Sequence, residues 1–600
     1  MTENQNSSPE LGIKRYFFRA SAADFKKIPD NPIAYWLPKA SFDAYALNEK
    51  LGDVSYGQPG LQTSNNSRFV RMWHEVELSN IGFNCDSSNG TKQFDCKWFP
   101  YLKGGGFRRW YGNHDTVVNW RSAGKEIKDY VKDKYPYLKG KIDYVVKDRG
   151  YYFQPGITYT KITSSLFNAR LSDPGFLFDV AGSSVFPLNG SREPLIGFMN
   201  SIICQMFIEA LNPTINIQSG DVDNLPYLAL RLSGFTETIS LTVGLLSKRS
   251  RDDWDAYETS WNFTSLPLLQ LGNRQYALKA RYQELRDHWR QMTLEMQRLE
   301  QENNRIFIDA YGLQDELTPE VPLNEITLTC NPHYRYGGDK SEEEREALLL
   351  ADSMRELVSY AVGCMLGRYS LDKPGLILAN QGETLADYLA QVPQPHFPAD
   401  DDNVIPVLDD DWFADDITPR FRQFLRVAFG DAHYDDNLAF IEQALNLKGK
   451  RNYSLRDYML GEFYADHVKR YKKRPIYWLF SSPKGSFNAL IYMHRYRPDT
   501  VSVVLRYLRD FRKKVADEKD RQAAASINLA ATQGDRTRAL KEVDRLNKVL
   551  AELDDYERDV LYPLATKQIA IDLDDGVKVN YLNVGAALKK IPGLESKDED

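Results

Sequence analysis

The 600-residue chain has no apolar run long enough to span the roughly 30 Å of a bilayer core; its most apolar stretch, 195–211, is interrupted by Asn200, Gln205 and Glu209. Its first residues, MTENQNSSPELGIKRYFF, lack a basic stretch followed by an apolar one, so neither secretion nor a membrane partner is expected and the cytoplasm is. Cysteine is scarce: Cys85, Cys96, Cys204, Cys330 and Cys364 are odd in number and scattered, which argues against a disulfide framework and for a reducing compartment. The single Gly run at 104–106 has neither G-x-G-x-x-G nor P-loop spacing, and no G-x-S-x-G elbow is present. No repeat of solenoid period occurs. Nor is there a basic excess overall: 76 Lys+Arg against 83 Asp+Glu give a formal charge of −7, so the total points to no polyanion. What is present, 42% hydrophobic and 26% charged residues, is a globular composition, and the length corresponds to about four domains.

From residue 13 to about 269, aromatic and β-branched residues broken by Gly, Pro and Asn, as in YYFQPGITYTKI and PGFLFDVAGSSVF, predict short strands and loops. Leu278, Tyr282, Leu285, Trp289, Met292, Met296 and Leu299 then alternate at spacings of 4 and 3, one apolar seam along a helix. Such a seam suits either a core helix of a bundle or a spacer between modules. SEEEREALLLADSMRELVSYAVGCMLGRYSL predicts an amphipathic helix with acidic residues where the macrodipole favours them, ending before Pro374. The stretch 395–416 carries Asp400, Asp401, Asp402, Asp409, Asp410, Asp411, Asp415 and Asp416 without Lys or Arg, and is expected to be an acidic surface loop. A second heptad run, Ala539, Val543, Leu546, Leu550, Leu553 and Val560 with Glu557 polar, predicts a late helix paired with 501–514, and the tail GLESKDED is expected to fray. The fold class read from this order is α+β: a mixed, strand-containing part, a long helix and a mainly helical C-terminal region.

Charge is concentrated locally. Residues 97–149 hold 13 Lys/Arg against six acidic residues, and 448–514 hold 17 against five, in a chain acidic overall. That asymmetry is the electrostatic footprint of a nucleic-acid face, the alternative being a basic surface neutralised by the acidic stretch. KGGGFRRWYGNHD joins a Gly run to Arg108, Arg109, Trp110, Tyr111, Asn113 and His114, types that hydrogen-bond base edges or phosphates while Gly lets the backbone approach. In the second cluster Lys472, Lys473, Arg474, Lys484, Arg495 and Arg497 are the candidate DNA-binding residues, among aromatics that are more often core than stacking platforms.

Chemistry of the chain's own is weakly signalled. N6-adenine methyl transfer needs a Gly-rich strand-to-helix loop for S-adenosylmethionine and an Asn/Asp-Pro-Pro-Tyr/Phe loop for a flipped base. Asn331-Pro332-His333-Tyr334 departs from the second pattern by one residue, has no Gly-rich partner, and is expected to be an ordinary turn. Asp115, Glu126 and Lys128 have the residue types of a Mg²⁺-dependent nuclease, but so short a pattern arises by chance and reads better as residues flanking a turn at 122–124. His74, Cys85, Cys96 and His114 lack zinc spacing. No catalytic residue, metal ligand or cofactor is assigned to the chain.

Longer strings carry a resemblance: YFFRASAADFKKIPDNPIAYW at 16–36, GGGFRRWYGN at 104–113 with VVNW at 117–120, FIDAYGLQDELTPEVPLNEITL at 307–328, KKRPIYWLFSSPKGSFNALIYMHRY at 472–496 and IDLDDGVKVNY at 571–581. They resemble the C-terminal half of the PglX-type adenine-specific DNA methyltransferases of BREX (bacteriophage exclusion) defence systems, themselves similar to single-chain restriction-modification methyltransferases. The resemblance implies that the S-adenosylmethionine-binding fold lies in another half, with 1–40 the junction to it. It implies a target-recognition domain at 41–270, a helical spacer at 271–305 and a helical region with the acidic loop at 306–447. A basic DNA-contacting region at 448–514 and C-terminal helices and tail at 515–600 would follow. The implied partners are double-stranded DNA, the methyltransferase half and other BREX proteins. Loops around Arg108 to Asn113 would choose the sequence, while Lys472, Lys473, Arg474 and Lys484 neutralise phosphate. The alternative is a protein-interaction module of the same complex that does not bind DNA by itself.

Overall fold

The computed structural model describes residues 21–148, 150–270 and 277–595. Residues 1–20 of the expected junction at 1–40, Arg149 of the first basic cluster, the start of the expected spacer at 271–276 and the last tail residues, 596–600, lie outside the described residues.

The strands are β1 Ser55–Gln58, β2 Val70–Met72, β3 Trp98–Leu102, β4 Thr116–Asn119, β5 Gly156–Tyr159, β6 Ala169–Ser172, β7 Leu177–Phe178, β8 Ser184–Pro187, β9 Ile405–Pro406, β10 Tyr477–Ser481 and β11 Asn488–Tyr492. They form three small sheets ordered β1-β8-β5-β6, β2-β4-β3-β7 and β10-β11-β9. All pairs are antiparallel except β3 with β7. The residues of β3, β5, β6, β10 and β11 are all buried, which is why β3, β10 and β11 read as largely apolar and aromatic runs, whereas β6, alternating as Ala169-Arg170-Leu171-Ser172, buries its polar side chains too.

The principal helices are α1 Arg121–Lys134, α2 Glu193–Met199, α3 Ile202–Leu211, α4 Thr236–Asp255, α5 Leu278–Tyr311, α6 Glu342–Met365, α7 Ile417–Phe429, α8 Tyr434–Leu445, α9 Phe463–Arg470, α10 Thr500–Ser526 and α11 Gln533–Tyr556. The α+β class follows directly. The apolar stretch near 200 is two helices bent by 62°, and among the described residues no single helix is long and apolar enough to cross a membrane. Its polar interruption has a purpose, since the Asn200 amide bonds both the N–H (2.8 Å) and the carbonyl (3.0 Å) of Ala169 on β6.

The heptad seam is the buried side of α5, which runs past the expected end at 305 to Tyr311 and stops at Gly312 in the left-handed conformation (φ +67°). Leu278 through Leu299 are buried at each expected position, followed by Ile306, Phe307, Ile308 and Tyr311. The helix packs α3 and α4 on one side of the chain order and α8 on the other, so it is a core helix joining strand-containing and helical parts and not a free-standing spacer. The acidic helix expected after it is α6, its N-terminus closed by a capping box between Ser341 and Glu344. The late pair is α10 against α11, with Val504, Leu508, Phe511 and Val515 in one buried cluster with Leu546 and Leu553.

The acidic stretch is a surface loop only in part: Asp401, Asp409, Asp410 and Asp411 are exposed. Asp400 (7% exposed) and Asp416 (0%) are buried, and 405–406 is the strand β9 on β11. Arg456 bridges Asp411 and Asp416, Arg506 reaches Asp402 (2.8 Å), Arg545 reaches Asp409 (3.3 Å), and the Tyr507 hydroxyl donates to Asp415 (2.6 Å). Local sequence composition misjudged both segments for one reason: part of the basic excess at 448–514 is spent inside the protein on this acid.

A long-range strut completes the second sheet. Asp574 accepts the Trp98 indole N–H (2.6 Å) and pairs with Lys97 (3.0 Å), while its backbone carbonyl accepts from Arg71 on β2 (3.1 Å).

Met296 is fully buried on α5, so Met296→Ala is expected to cost about 2–5 kcal/mol in denaturant unfolding, against about 1 kcal/mol for Ser341→Ala at the α6 cap. Burial and the neighbouring Asp402 push the Asp400 carboxyl up to about 7. The folded protein therefore holds a proton there that the unfolded chain has lost above about pH 4, and this contribution to stability is lost as pH rises toward 7. Asp400→Asn is expected to flatten the fall in Tm between pH 5 and 8; an unchanged slope would assign the fall to another group.

Candidate nucleic-acid interface

The 104–115 loop leaves β3 through Gly104 (φ +78°) and Gly105 (φ +127°) and returns to the fold at Trp110, whose N–H donates to the Ala169 carbonyl (2.9 Å) and whose carbonyl accepts from Leu171 (2.9 Å). Trp110 itself sits at φ +72° and Asn113 at φ +60°, conformations that cost non-glycine residues energy and persist only where surrounding contacts enforce them.

Those contacts are buried ion pairs. Arg108, 3% exposed, donates to Asp253 of α4 (2.8 Å), to the Ser250 carbonyl (3.2 Å), to the Thr329 hydroxyl (3.0 Å) and to the Tyr111 carbonyl (2.8 Å). Arg109 pairs with Glu300 of α5 (2.7 Å) and with Glu325 (3.1 Å), and the Trp110 indole donates to the other Glu300 oxygen (2.8 Å). Burial pushes the Glu300 carboxyl up, and Arg109 opposes that shift. Tyr111 is buried, with the Arg251 guanidinium 4.4 Å from its ring centre. Only glycine fits at 112, where φ is +124° and a Cβ would come within 2.5 Å of Arg108 Nε and 2.8 Å of Trp254. The side chains of Arg108, Arg109, Trp110 and Tyr111 are thus fastened inward. Asn113 stays half-buried at the rim, its amide donating to the Gly106 carbonyl (3.0 Å), and Gly105 and Gly106 expose backbone.

The two basic segments meet at this loop: Lys472 lies 2.7 Å from Asp115, 357 positions away in sequence. Lys472 (φ +50°) and Lys473 (φ +61°) form a left-handed turn after α9. Behind it the His74 ring contacts the Arg474 carbonyl (3.2 Å), and the Arg474 side chain approaches Glu75 (3.7 Å). A groove of about 540 Å³ runs alongside, bordered by Arg71, Lys103, Arg474 and Lys578 together with Glu75 and Asp575. Arg71 and Lys578 were not singled out in the sequence; the strut from Asp574 brings them here, and no local pattern signals it.

The remaining candidates lie apart. Lys484 is exposed on the β10–β11 turn, where its N–H donates to Glu552 (2.7 Å). Arg495 is buried and bonds the carbonyls of Asp400 (2.9 Å), Asp401 (3.2 Å) and Leu366 (3.3 Å), so its guanidinium is structural in this geometry. Arg497 is exposed beside Asp499 (3.6 Å). Among the described residues Lys448, Arg451, Lys469, Lys473, Lys484 and Lys513 are exposed and form no ion pair.

The chemical alternatives resolve into ordinary structure. Asn331 is fully buried; its amide donates to Leu323 (2.7 Å) and Ile326 (2.8 Å), it caps the short turn at 332–335, and the Tyr334 hydroxyl donates to the Phe107 carbonyl. The Gly104 to Gly106 run follows a strand and leads into the Trp110 bridge, not into a helix. Asp115 faces Lys472, whereas Glu126 is exposed on α1.

In sequence the chain is similar to proteins named adenine-specific methyltransferases. It is 35% identical over 590 residues to the adenine-specific methyltransferase BrxX of Escherichia coli O9:H4 (strain HS), covering 95% of this chain and 46% of that protein. It is also 35% identical over 591 residues to the adenine-specific methyltransferase PglX of Lacticaseibacillus casei (strain Zhang), covering 97% and 46%. These two alignments support the resemblance to PglX-type adenine-specific methyltransferases carried by the sequence strings, and the chain spans about half the length of the curated relatives it matches. No protein-family model matches it.

Because Asp253 is 2% exposed, removing its partner by Arg108→Ala is expected to cost about 3–5 kcal/mol in chemical denaturation. A loss below about 1 kcal/mol would mean that the guanidinium faces solvent instead.

Proposed function

We propose that this chain is the DNA-recognition portion of an adenine-specific methyltransferase of a BREX bacteriophage-defence system, working with a catalytic portion that binds S-adenosylmethionine. The observation that carries the reading is the alignment: nearly all of this chain matches under half of two adenine-specific methyltransferases. The meeting of the two basic segments at the 104–115 loop supports it.

On this reading residues 41–270 select the sequence and 448–514 hold the duplex. Arg108, Arg109, Trp110 and Tyr111 preorganise the loop, so that little ordering remains to be done when DNA binds. Asn113 and the exposed backbone of Gly105 and Gly106 present donors and acceptors to the duplex. Lys472 exchanges Asp115 for phosphate, with Lys473, Arg474 and Lys484 adding to the positive field. Phosphate contacts of this kind place the protein on DNA, and contacts to base edges choose the site.

A second reading, a protein-interaction module of the same defence complex, draws support from the internal neutralisation of the basic region by the acidic stretch. The salt dependence of DNA retention separates them, since several neutralised phosphates demand a steep loss of affinity between about 50 and 200 mM salt. The deciding experiment selects duplexes from a random pool with the purified chain, with and without the catalytic portion. Enrichment of one motif supports recognition, and retention of nothing in either arm supports the interaction module. Lys472→Ala with Lys473→Ala is expected to weaken all sequences alike and to lower the salt slope by roughly one to two. A change of preferred motif in that double variant would assign base readout to the turn.

A further inference from the structure

A groove of about 500 Å³, within the roughly 300–1,000 Å³ of ligand sites, lies where α9, the β10–β11 turn, α10, α11 and the segment 589–592 come together. Its wall includes Trp412, Leu460, Val468 and Val549, none of them fully buried, and Leu460 is 41% exposed. Leu479, Phe511 and Leu546, which also line it, belong to the main core, so the groove is an opening onto that core. Apolar side chains left open to water in one concavity and bordered by charge mark a surface that another molecule covers.

The bordering charge is positive and comes from two elements. Lys484 stands on the β10–β11 turn, and Lys589 and Lys590 follow one another near the C-terminus; all three are exposed, and among the described residues none of them is in an ion pair. Arg545 is already held by Glu542 (2.7 Å) and by Asp409 (3.3 Å), itself a wall residue. The backbone that carries the lysines is fixed. Glu552 of α11 accepts the Lys484 N–H (2.7 Å) and the hydroxyls of Ser482 and Ser486 (2.6 Å each), and the Lys589 N–H donates to the Leu479 carbonyl of β10 (2.8 Å). Such a frame leaves little ordering for a partner to impose.

We propose that this groove seats an acidic amphipathic helix of another protein, its apolar face on Leu460, Val468 and Val549 and its carboxylates at Lys484, Lys589 and Lys590. The apolar wall and the free cations choose the occupant together. A DNA duplex carries its phosphates outside and its bases stacked within, so it would meet the lysines and leave the apolar wall open to water. A helix with apolar side chains three and four residues apart and acidic residues beside them matches both halves: the groove takes up its apolar face, and opposite charge steers and orients it. Lys484 still adds to the positive field that DNA meets, and the groove stands whether or not DNA is recognised elsewhere on the chain.

The test is selection from a phage-displayed library of random peptides on the immobilised wild-type chain, each round depleted on the Leu460→Asp variant. Acidic peptides with apolar residues three or four apart are expected to be enriched. A synthetic copy of one, followed by fluorescence anisotropy, is expected to bind about tenfold or more weaker to Leu460→Asp and about fivefold or more weaker to the Lys589→Glu, Lys590→Glu double variant. Far-UV circular dichroism and Tm check that each variant is folded; should Leu460→Asp fail to fold, the double variant, altered only at exposed side chains, takes its place in the depletion. Recovery of no peptide, of peptides without acidic residues, or of peptides that bind the double variant as well as the wild type overturns the inference. Recovery of none together with weaker binding of every duplex by the double variant overturns it too, and assigns the two lysines to phosphate. A wild-type chain that retains the peptide and no DNA refutes the recognition reading and leaves the helix groove standing.

Discussion

The 104–115 loop is held in place by a set of charges taken out of water. Arg108 on Asp253 and Arg109 on Glu300 tie one short segment to two long helices, α4 and α5. An ion pair at these depths is costly to desolvate and costlier to break, so it fixes position more than it adds stability. The strained backbone at Trp110 and Asn113, the glycine demanded at 112 and the placement of Trp254 all follow from where those two guanidinium groups are anchored.

The two kinds of cation on this protein consequently respond to different conditions. Pairs such as Arg108–Asp253 lie where salt barely screens them, while Lys472, 59% exposed, meets Asp115 at a boundary that mobile ions reach. Raising ionic strength therefore loosens the surface pair and leaves the scaffold intact.

Much of the frame was legible in the sequence because it depends on short periods. The seam from Leu278 to Leu299, the acidic start of α6 and the pairing of α10 with α11 need only neighbours three or four residues apart. The α+β class followed from the same local signals. The interface was legible in part: local charge picked out both basic segments, and the structure brings Lys472 to the 104–115 loop. It could not distinguish a paired cation from a free one, since the partner of Arg108 is 145 residues away and that of Arg109 is 191. The same blindness made the acidic stretch look solvated throughout when Arg456, Arg506 and Arg545 were waiting for it. Asn331 shows the converse, a motif-like string whose polar group is wholly occupied in closing a turn.

The strut from Asp574 to Trp98 spans 476 residues. A ribosome adding about 5–20 residues per second needs on the order of half a minute or more to deliver the second partner after the first. Through that interval the β2-β4-β3-β7 sheet lacks its brace, and the groove bordered by Arg71, Lys103 and Lys578 has no second bank. The nascent chain thus carries the cations of 97–149 for most of its synthesis without the surface that organises them, and that surface closes late, with the final helices.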